Sequence, residues 1–216
     1  MKMIILAALF LINLFSCKQS RKIIEPVSQT VQKSEYQRVN AIIRNTGSDV
    51  AFVSLKDNYD RKSKLNIYNE DNSLWKSFNY DDNFDDENIS AYAMDPETAL
   101  LVFRNLGSDG GLYKVLVNEE MNLAKYVRVS DSNFETQTLA QHVLSVFAVD
   151  FDMKTNPLRR KPDENSSAIH KNPDSFYFPK EINDDWLLVE DENSSPFWIK
   201  WRDSSGQLLI ELFYDA

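Results

Sequence analysis

The sequence predicts a mainly β protein, with an N-terminal antiparallel β domain that contains one short helix, followed by a small β-barrel. Phe and Tyr together number 22 against only 5 Gly, and most of these aromatic residues lie in short segments of alternating apolar and polar residues. Alternation favours strands, because successive side chains of a strand point to opposite faces. Clusters of Asn, Asp, Ser and Gly separate the segments, and these residues are typical of turns.

The first β domain is predicted over residues 35–147. Its strands are expected at residues 39–44, 50–55, 64–68, 74–78, 89–94, 99–105 and 112–117. Residues 106–112 are rich in glycine and predict a hairpin loop, since glycine supplies the positive φ values that tight hairpins need. A short helix is expected over residues 136–143, with Ser132 or Asn133 as its cap, and strand-like alternation returns at 145–151.

Residues 1–17 carry the features of a targeting signal. Lys2 gives a positive start, and an unbroken apolar run follows at residues 4–12. The run is of signal-peptide length and shorter than the ~20 apolar residues that span a bilayer. It leads into Leu-Phe-Ser-Cys at residues 14–17, which resembles the lipobox of bacterial lipoproteins. The resemblance implies that residues 1–16 are removed and that Cys17 is diacylated on its sulfur.

Cys17 is the only cysteine of the chain, so no disulfide can form within one molecule and lipidation gives this lone thiol a role. The alternatives are a cysteine within an ordinary signal peptide and a free surface thiol. A lipidated Cys17 predicts a bacterial cell-envelope protein anchored in a membrane and facing the periplasm or on the outer membrane. Residues 17–34 read as the lipidated tether, with a reach of roughly 20 to 25 Å as a flexible coil.

Composition excludes several classes of function. Removal of residues 1–16 takes away Lys2 alone among the charged residues, so the net charge moves from −9 to −10. An acidic chain does not favour nucleic acid, whose binding is driven by Lys and Arg. The two histidines, His142 and His170, have no metal-ligand spacing, and no nucleophile or phosphate-binding motif occurs. We therefore expect neither an enzyme nor a cofactor.

The acidic run at residues 81–87 is a poor match to the calcium-binding loop of an EF-hand. Asp81, Asn83 and Asp85 fit the first three ligand positions of an EF-hand. The sixth position, which needs glycine, is Asp86, and the twelfth, which needs a bidentate glutamate, is Tyr92. A solvated acidic loop is the better interpretation, and a looser cation site stays open.

The last part of the chain, residues 148–216, is the predicted small barrel. It contains a Pro-rich loop, strands at 176–178 and 186–190, and a hairpin from 197–202 and 207–214 about the turn at 203–206. The segment resembles a bacterial SH3-like domain, in an Asn-x-Arg strand with a following polar loop and in two later tryptophan strands. The residues in those places are Asn156, Leu158, Arg159, Pro162, Asn165, Ser166, Ile169, Trp186, Val189, Trp198 and Ile199.

Four aromatic residues of this domain are the candidates for a binding groove: Tyr177, Trp186, Trp198 and Trp201. Aromatic side chains combine a large contact area with a polar group, but each of the four could instead be packed in the core. The period of two places Trp201 on the face of Phe197 and Ile199, opposite Trp198. The two tryptophans therefore cannot be buried on the same side.

Bacterial SH3-like modules commonly bind peptides or the peptide part of peptidoglycan, so the resemblance implies a non-catalytic envelope lipoprotein with such a ligand. The alternative is an anchored immunity or inhibitor lipoprotein. Its acidic charge would steer a basic toxin or hydrolase towards it.

Overall fold

The structure is a computed structural model, and it describes residues 50–171 and 175–214. These residues form antiparallel β-sheets with one short helix, so the mainly β prediction is confirmed. Cys17, the signal peptide of residues 1–16, the tether of residues 17–34 and the predicted strand at 39–44 lie outside the described residues.

The large sheet contains the first eight strands: β1 Phe52–Leu55, β2 Lys64–Tyr68, β3 Leu74–Asn79, β4 Ala93–Asp95, β5 Leu100–Asp109, β6 Leu112–Asn118, β7 Leu123–Arg128 and β8 Phe134–Gln137. Their order across the sheet is β3-β2-β7-β6-β5-β1-β8, and β4 pairs with β5. The predicted hairpin between β5 and β6 is confirmed. Its turn is tighter than expected, with positive φ at both Gly110 and Gly111, as a two-residue type I′ turn requires.

One face of the large sheet is buried in a core of its own. The period of two selects the inward residues, such as Leu65 and Ile67 of β2, both fully buried. Apolar side chains from β1, β5, β6 and β7 meet them, and Phe134 of β8 completes the cluster. Burial of this much apolar surface is what holds the first half together.

The helix differs from its prediction. It begins at Leu139 and ends at Ser145, and is called α1 here. Its N-cap is Thr138, whose side chain accepts a hydrogen bond from the backbone N–H of Gln141 while the Gln141 side chain accepts one from the Thr138 N–H. This capping box replaces the predicted caps at Ser132 and Asn133. The expected start at residue 136 was wrong because residues 134–137 pair with β1 as β8.

The second half contains seven strands: β9 Ala148–Asp150, β10 Leu158–Arg159, β11 Ala168–Ile169, β12 Phe178–Asn183, β13 Trp186–Glu190, β14 Pro196–Lys200 and β15 Glu211–Phe213. Five of them form the small sheet, in the order β11-β10-β14-β13-β12, and β9 pairs with β15. The described residues close no barrel, because β11 and β12 stand at the edges of an open sheet. The SH3-like barrel therefore stays a prediction.

The two halves meet at a cluster that contains α1. Val143 of the helix and Val146 pack in the core of the small sheet, whereas His142 stacks on Phe52 of the large sheet, with 4.2 Å between ring centroids. Tyr214 donates a hydrogen bond from its hydroxyl to Nε2 of His142 over 2.8 Å. Within the described ranges no helix has the length and apolar character to cross a membrane.

Candidate functional site

The outer face of the small sheet brings two of the four predicted residues together. In the pairing of β13 with β14, Trp186 lies opposite Lys200 and Leu188 lies opposite Trp198. Residues opposite each other share a face, so both tryptophans and Leu188 form one patch on the two central strands. All three side chains are half-buried. We call Trp186, Leu188, Trp198, Arg159 and Lys200 the tryptophan face.

Trp201 and Tyr177 lie in the core instead, each with 1% of its surface exposed. Trp201 lies on the same inward face as Phe197 and Ile199, because the three residues are two positions apart along the chain. Its indole N–H donates to the carbonyl of Asp184 over 3.0 Å. The side chain of Tyr177 packs against Phe151, with 5.1 Å between ring centroids. Neither residue presents a surface to a ligand, so the predicted set of four reduces to Trp186 and Trp198.

Two cations border the tryptophan face. Arg159 of β10 lies directly opposite Trp198 of β14, and its Nη1 donates to the carbonyl of Ser166. The Nζ of Lys200 lies 5.6 Å from the ring centroid of Trp186 and pairs with the carboxylate of Glu164. The hydrogen bond from Lys200 lowers the pKa of Glu164. The face therefore combines apolar area with one cation, Arg159, that has no ion-pair partner in the described residues, which suits a ligand that has an apolar body and a carboxylate.

Asn156 fixes the strand that carries Trp198. Its side-chain amide donates to the carbonyl of Lys200 over 2.6 Å, and its side-chain oxygen accepts from the N–H of Lys200 over 3.0 Å. Asn156 is buried, and both halves of its amide are thereby satisfied. This contact joins the loop before β10 to the end of β14, so Asn156 positions the tryptophan face.

The loop at residues 191–195 closes the far end of β13 and β14. One oxygen of Asp191 accepts hydrogen bonds from the N–H groups of Asn193 and Ser195, at 3.0 and 2.9 Å, and the other lies 3.3 Å from Nζ of Lys171. The backbone bond from Ser195 is the main reason that the pKa of Asp191 is lowered. The ionised carboxylate therefore acts as a structural brace of this turn.

The remaining candidates serve the fold. Of the acidic run at 81–87, Asp82 pairs with Arg61 and Asp86 pairs with Lys76, and the residues described contain no cluster of three or more metal-ligating side chains.

A cleft of about 130 Å³ opens beside Phe134, with Arg128, Asp131 and Glu135 among its lining residues. It is smaller than the ~300 Å³ at which ligand pockets usually begin.

His142 is held as a neutral imidazole. Its Nδ1 donates to the side-chain oxygen of Gln137 over 2.8 Å, and its Nε2 accepts from Tyr214. Burial lowers the pKa of His142 from 6.5 to about 4, because the charged form has lost its water. With both ring nitrogens occupied, His142 is a structural residue of the junction between the halves.

Comparison of the chain with protein-family models, with curated proteins and with solved structures gave no match. The tryptophan face is thus characterised by its own geometry. It offers non-covalent recognition: two indoles, an aliphatic side chain between them and a cation at each border. Sequence reasoning missed Arg159 and Lys200 as members of this face. Lys200 could have been predicted as a member, because it lies two residues after Trp198 on β14 and therefore on the same face of the strand.

Proposed function

We propose that the protein is a non-catalytic lipoprotein of the bacterial cell envelope whose C-terminal module binds a peptide or a peptidoglycan-derived ligand. The observation that carries the proposal is the tryptophan face, in which Trp186 and Trp198 flank Leu188 on the outer side of the small sheet. Aromatic anchors with an adjacent cation are the side chains that most often dominate binding energy. Stem peptides of peptidoglycan carry carboxylates, which Arg159 complements.

The SH3-like assignment belongs to this proposal. Its support is the run of short antiparallel strands β10 to β14, together with the Asn156 clamp at the point where the family pattern has its Asn. The lipoprotein assignment rests on residues 14–17 and on the lone Cys17. Two or three acyl chains at ~0.8 kcal/mol per buried CH₂ would make the tether permanent.

Two experiments test the two parts separately. Cells that express the protein with labelled palmitate should incorporate the label, and Cys17→Ala should accumulate as an unlabelled precursor. Equal labelling of that variant would refute the anchor.

For binding, the chain without residues 1–17 should sediment with purified peptidoglycan, and Trp186→Ala/Trp198→Ala should lose this capture. Phe213→Ala removes an exposed aromatic side chain of the same half and should bind as well as the natural chain. Absence of capture for the natural chain would refute the wall-binding form of the proposal.

The second candidate is an anchored immunity or inhibitor lipoprotein for a basic toxin or hydrolase. It is favoured by the excess of 33 acidic over 24 basic residues, which would accelerate association with a basic partner. A captured partner whose binding weakens steeply with added salt would support it. Proximity of the gene to a toxin gene would separate it from the first candidate.

A further inference from the structure

A second aromatic and cationic surface lies on the large sheet, on the side opposite its core. The strand register sets Leu74 opposite Tyr68, Tyr68 opposite Tyr126, and Tyr126 opposite Lys114. Opposed residues share a face, so these four side chains form one row across β3, β2, β7 and β6. Val127, the neighbour of Tyr126, is fully buried in the core, which places the row on the outside. We call these four residues the tyrosine row.

The tyrosine row is accessible. Leu74 is 56% exposed, Lys114 is exposed and both tyrosines are half-buried. Neither tyrosine hydroxyl makes a hydrogen bond to any residue in the described ranges. Beyond Lys114 the row reaches Gly107 of β5, where an added Cβ would meet no atom within 4 Å. The surface is therefore open at that end as well.

The side chain of Arg128 is held beside the tyrosine row by contacts with uncharged groups. Its guanidinium carbon lies 4.1 Å from the ring centroid of Tyr68. Its Nε and Nη2 donate to the side-chain oxygen of Asn72, at 3.3 and 3.2 Å. Stacking and an amide oxygen orient the guanidinium without cancelling its charge. An oriented cation of this kind loses little conformational entropy when it binds an anion.

This surface carries two basic side chains, whereas the chain as a whole is acidic. Acidic residues outnumber basic ones by 33 to 24, yet neither Arg128 nor Lys114 forms an ion pair with a carboxylate of residues 50–171 or 175–214. Lys114 lies opposite Tyr126 and is thus a diagonal neighbour of Arg128, roughly 7 to 8 Å away between strands. The Arg128 guanidinium over Tyr68 and the Lys114 side chain thus lie on opposite sides of Tyr126, and two cations without an ion-pair partner in this arrangement complement a ligand with repeated negative charge.

We propose that the tyrosine row, together with Arg128, binds an anionic polysaccharide, one whose sugar rings carry carboxylate or phosphate groups. At the row, Tyr68, Tyr126 and Lys114 each have a paired residue on both sides, so a peptide has no free strand edge at these positions to add a strand. Recognition must come from side chains on a flat face. Tyrosine rings pack against the C–H faces of sugars and their hydroxyls hydrogen-bond, while Lys114 and Arg128 meet the anions.

The surface is separate from the tryptophan face, so the proposal does not depend on the function assigned to that face. The full chain in detergent is applied to immobilised polygalacturonate, whose sugars carry carboxylates, to neutral dextran and to polyglutamate. Salt is set at about 0.15 M, where a Debye length of ~8 Å screens the distant carboxylates of the protein but leaves contact pairs. Retention on polygalacturonate is expected, with none on dextran and weaker retention on polyglutamate.

Variants then locate the binding. Lys114→Gln/Arg128→Gln should weaken retention about ten-fold or more, which corresponds to about 1.4 kcal/mol, and Tyr126→Ala should have a similar effect. The control Lys62→Gln/Lys154→Gln removes the same charge at two exposed lysines outside the row and should stay within about two-fold. Lys114→Gln alone alters only an exposed side chain, so it remains informative if the larger changes impair folding.

Three results would overturn the proposal. They are no retention on polygalacturonate, equal weakening by the control variant, and polyglutamate retention as strong as that on polygalacturonate, which would assign the surface to an acidic peptide. Trp186→Ala/Trp198→Ala should leave retention on polygalacturonate unchanged. A failure of the tryptophan-face proposal is therefore distinguishable from a failure of this one.

Discussion

Acidification should destabilise this protein through His142, well above the pH at which its carboxylates are protonated. The ring is 2% exposed, stacks on Phe52 and has both nitrogens in hydrogen bonds to neutral partners, Gln137 and Tyr214. Protonation would place a charge in this junction. It would also turn Nε2 into a donor that faces the hydroxyl now donating to it, so the Tyr214 hydrogen bond would be lost or reversed.

The magnitude follows from the two pKa values of His142, 6.5 in the unfolded chain and about 4 in the folded one. Between them the unfolded state binds more protons, so stability is complete above pH 6.5 and falls as the pH is lowered towards 4. The steepest loss is about 1.4 kcal/mol per pH unit. From pH 7 to pH 5 the free energy of unfolding should fall by about 2 kcal/mol through this group.

Urea unfolding at pH 7, 6 and 5, on the chain without residues 1–17, measures this loss. With a slope near 2 kcal/mol per molar urea, the midpoint should fall by about 1 M. In His142→Gln the loss of about 2 kcal/mol that His142 contributes should be absent, whatever the stability of the variant at pH 7. The other histidine supplies the matched control, since His170 is exposed and His170→Gln should keep the full loss.

Glu119 has the opposite effect on the pH dependence of stability. Burial raises its pKa, so the folded state binds its proton more readily than the unfolded state does, and acidification stabilises the fold through this group. Its contribution is common to the natural chain and both histidine variants, so the difference between them isolates His142. The reasoning is refuted if His142→Gln loses as much stability between pH 7 and pH 5 as the natural chain does.

Three further predictions concern stability, each measured by thermal or urea unfolding. Asn156→Ala should cost about 2 kcal/mol or more, since it leaves the buried N–H and carbonyl of Lys200 without their partner, whereas the exposed Asn165→Ala should cost little; equal losses would contradict the clamp. Trp201→Ala should cost about 3 to 5 kcal/mol by opening a cavity, while the half-buried Trp198→Ala should cost clearly less, and the reverse order would refute the assignment of faces. Arg104 is buried and forms an ion pair with Glu119 over 3.0 Å, so Arg104→Leu should cost about 3 kcal/mol by leaving Glu119 uncompensated, and Arg104→Leu/Glu119→Leu should recover most of it; no recovery would show that the pair is not coupled.

Strands with a clear apolar pattern were predictable from the sequence. Residues 64–68 alternate polar and apolar side chains and residues 186–189 are a short apolar run, and the structure places strands at Lys64–Tyr68 and Trp186–Glu190. The opposite orientations of Trp198 and Trp201 followed from the same period and are confirmed by the burial of Trp201. In these segments local pattern and tertiary burial agree, which makes the local signal sufficient.

The missed elements depend on contacts between distant parts of the chain. Leu123–Arg128 is a strand because it pairs with β6, although Lys125 interrupts its apolar face; the Lys125 ammonium lies beside the ring of Trp75 and donates to the side-chain oxygen of Asn69. The two-residue strands β10 and β11 lie at the ends of a segment whose composition predicts a Pro-rich loop, and only the SH3-like resemblance predicts a strand at the position of β10. They are too short for any periodic signal and exist because β10 pairs with β14. Such pairings are not encoded locally.

The candidate sites were likewise only partly predictable from the sequence. Aromatic residues marked the tryptophan face in advance and the period of two could have added Lys200, but the position of Arg159 beside Trp198 became visible only from the pairing of β10 with β14. The tyrosine row had no signal in the sequence, because its members come from four strands and meet only through cross-strand pairing.

The central claim, that the outer face of the small sheet binds a wall-derived ligand, is tested most directly by the indole N–H signals of the four tryptophans. These are recorded by NMR while soluble muropeptides are added, and each signal is assigned by a Trp→Phe variant. The signals of Trp186 and Trp198 should shift in a saturable manner, whereas those of Trp75 and the buried Trp201 should stay in place. No saturable shift at Trp186 and Trp198, or shifts centred on Trp75, would contradict the account.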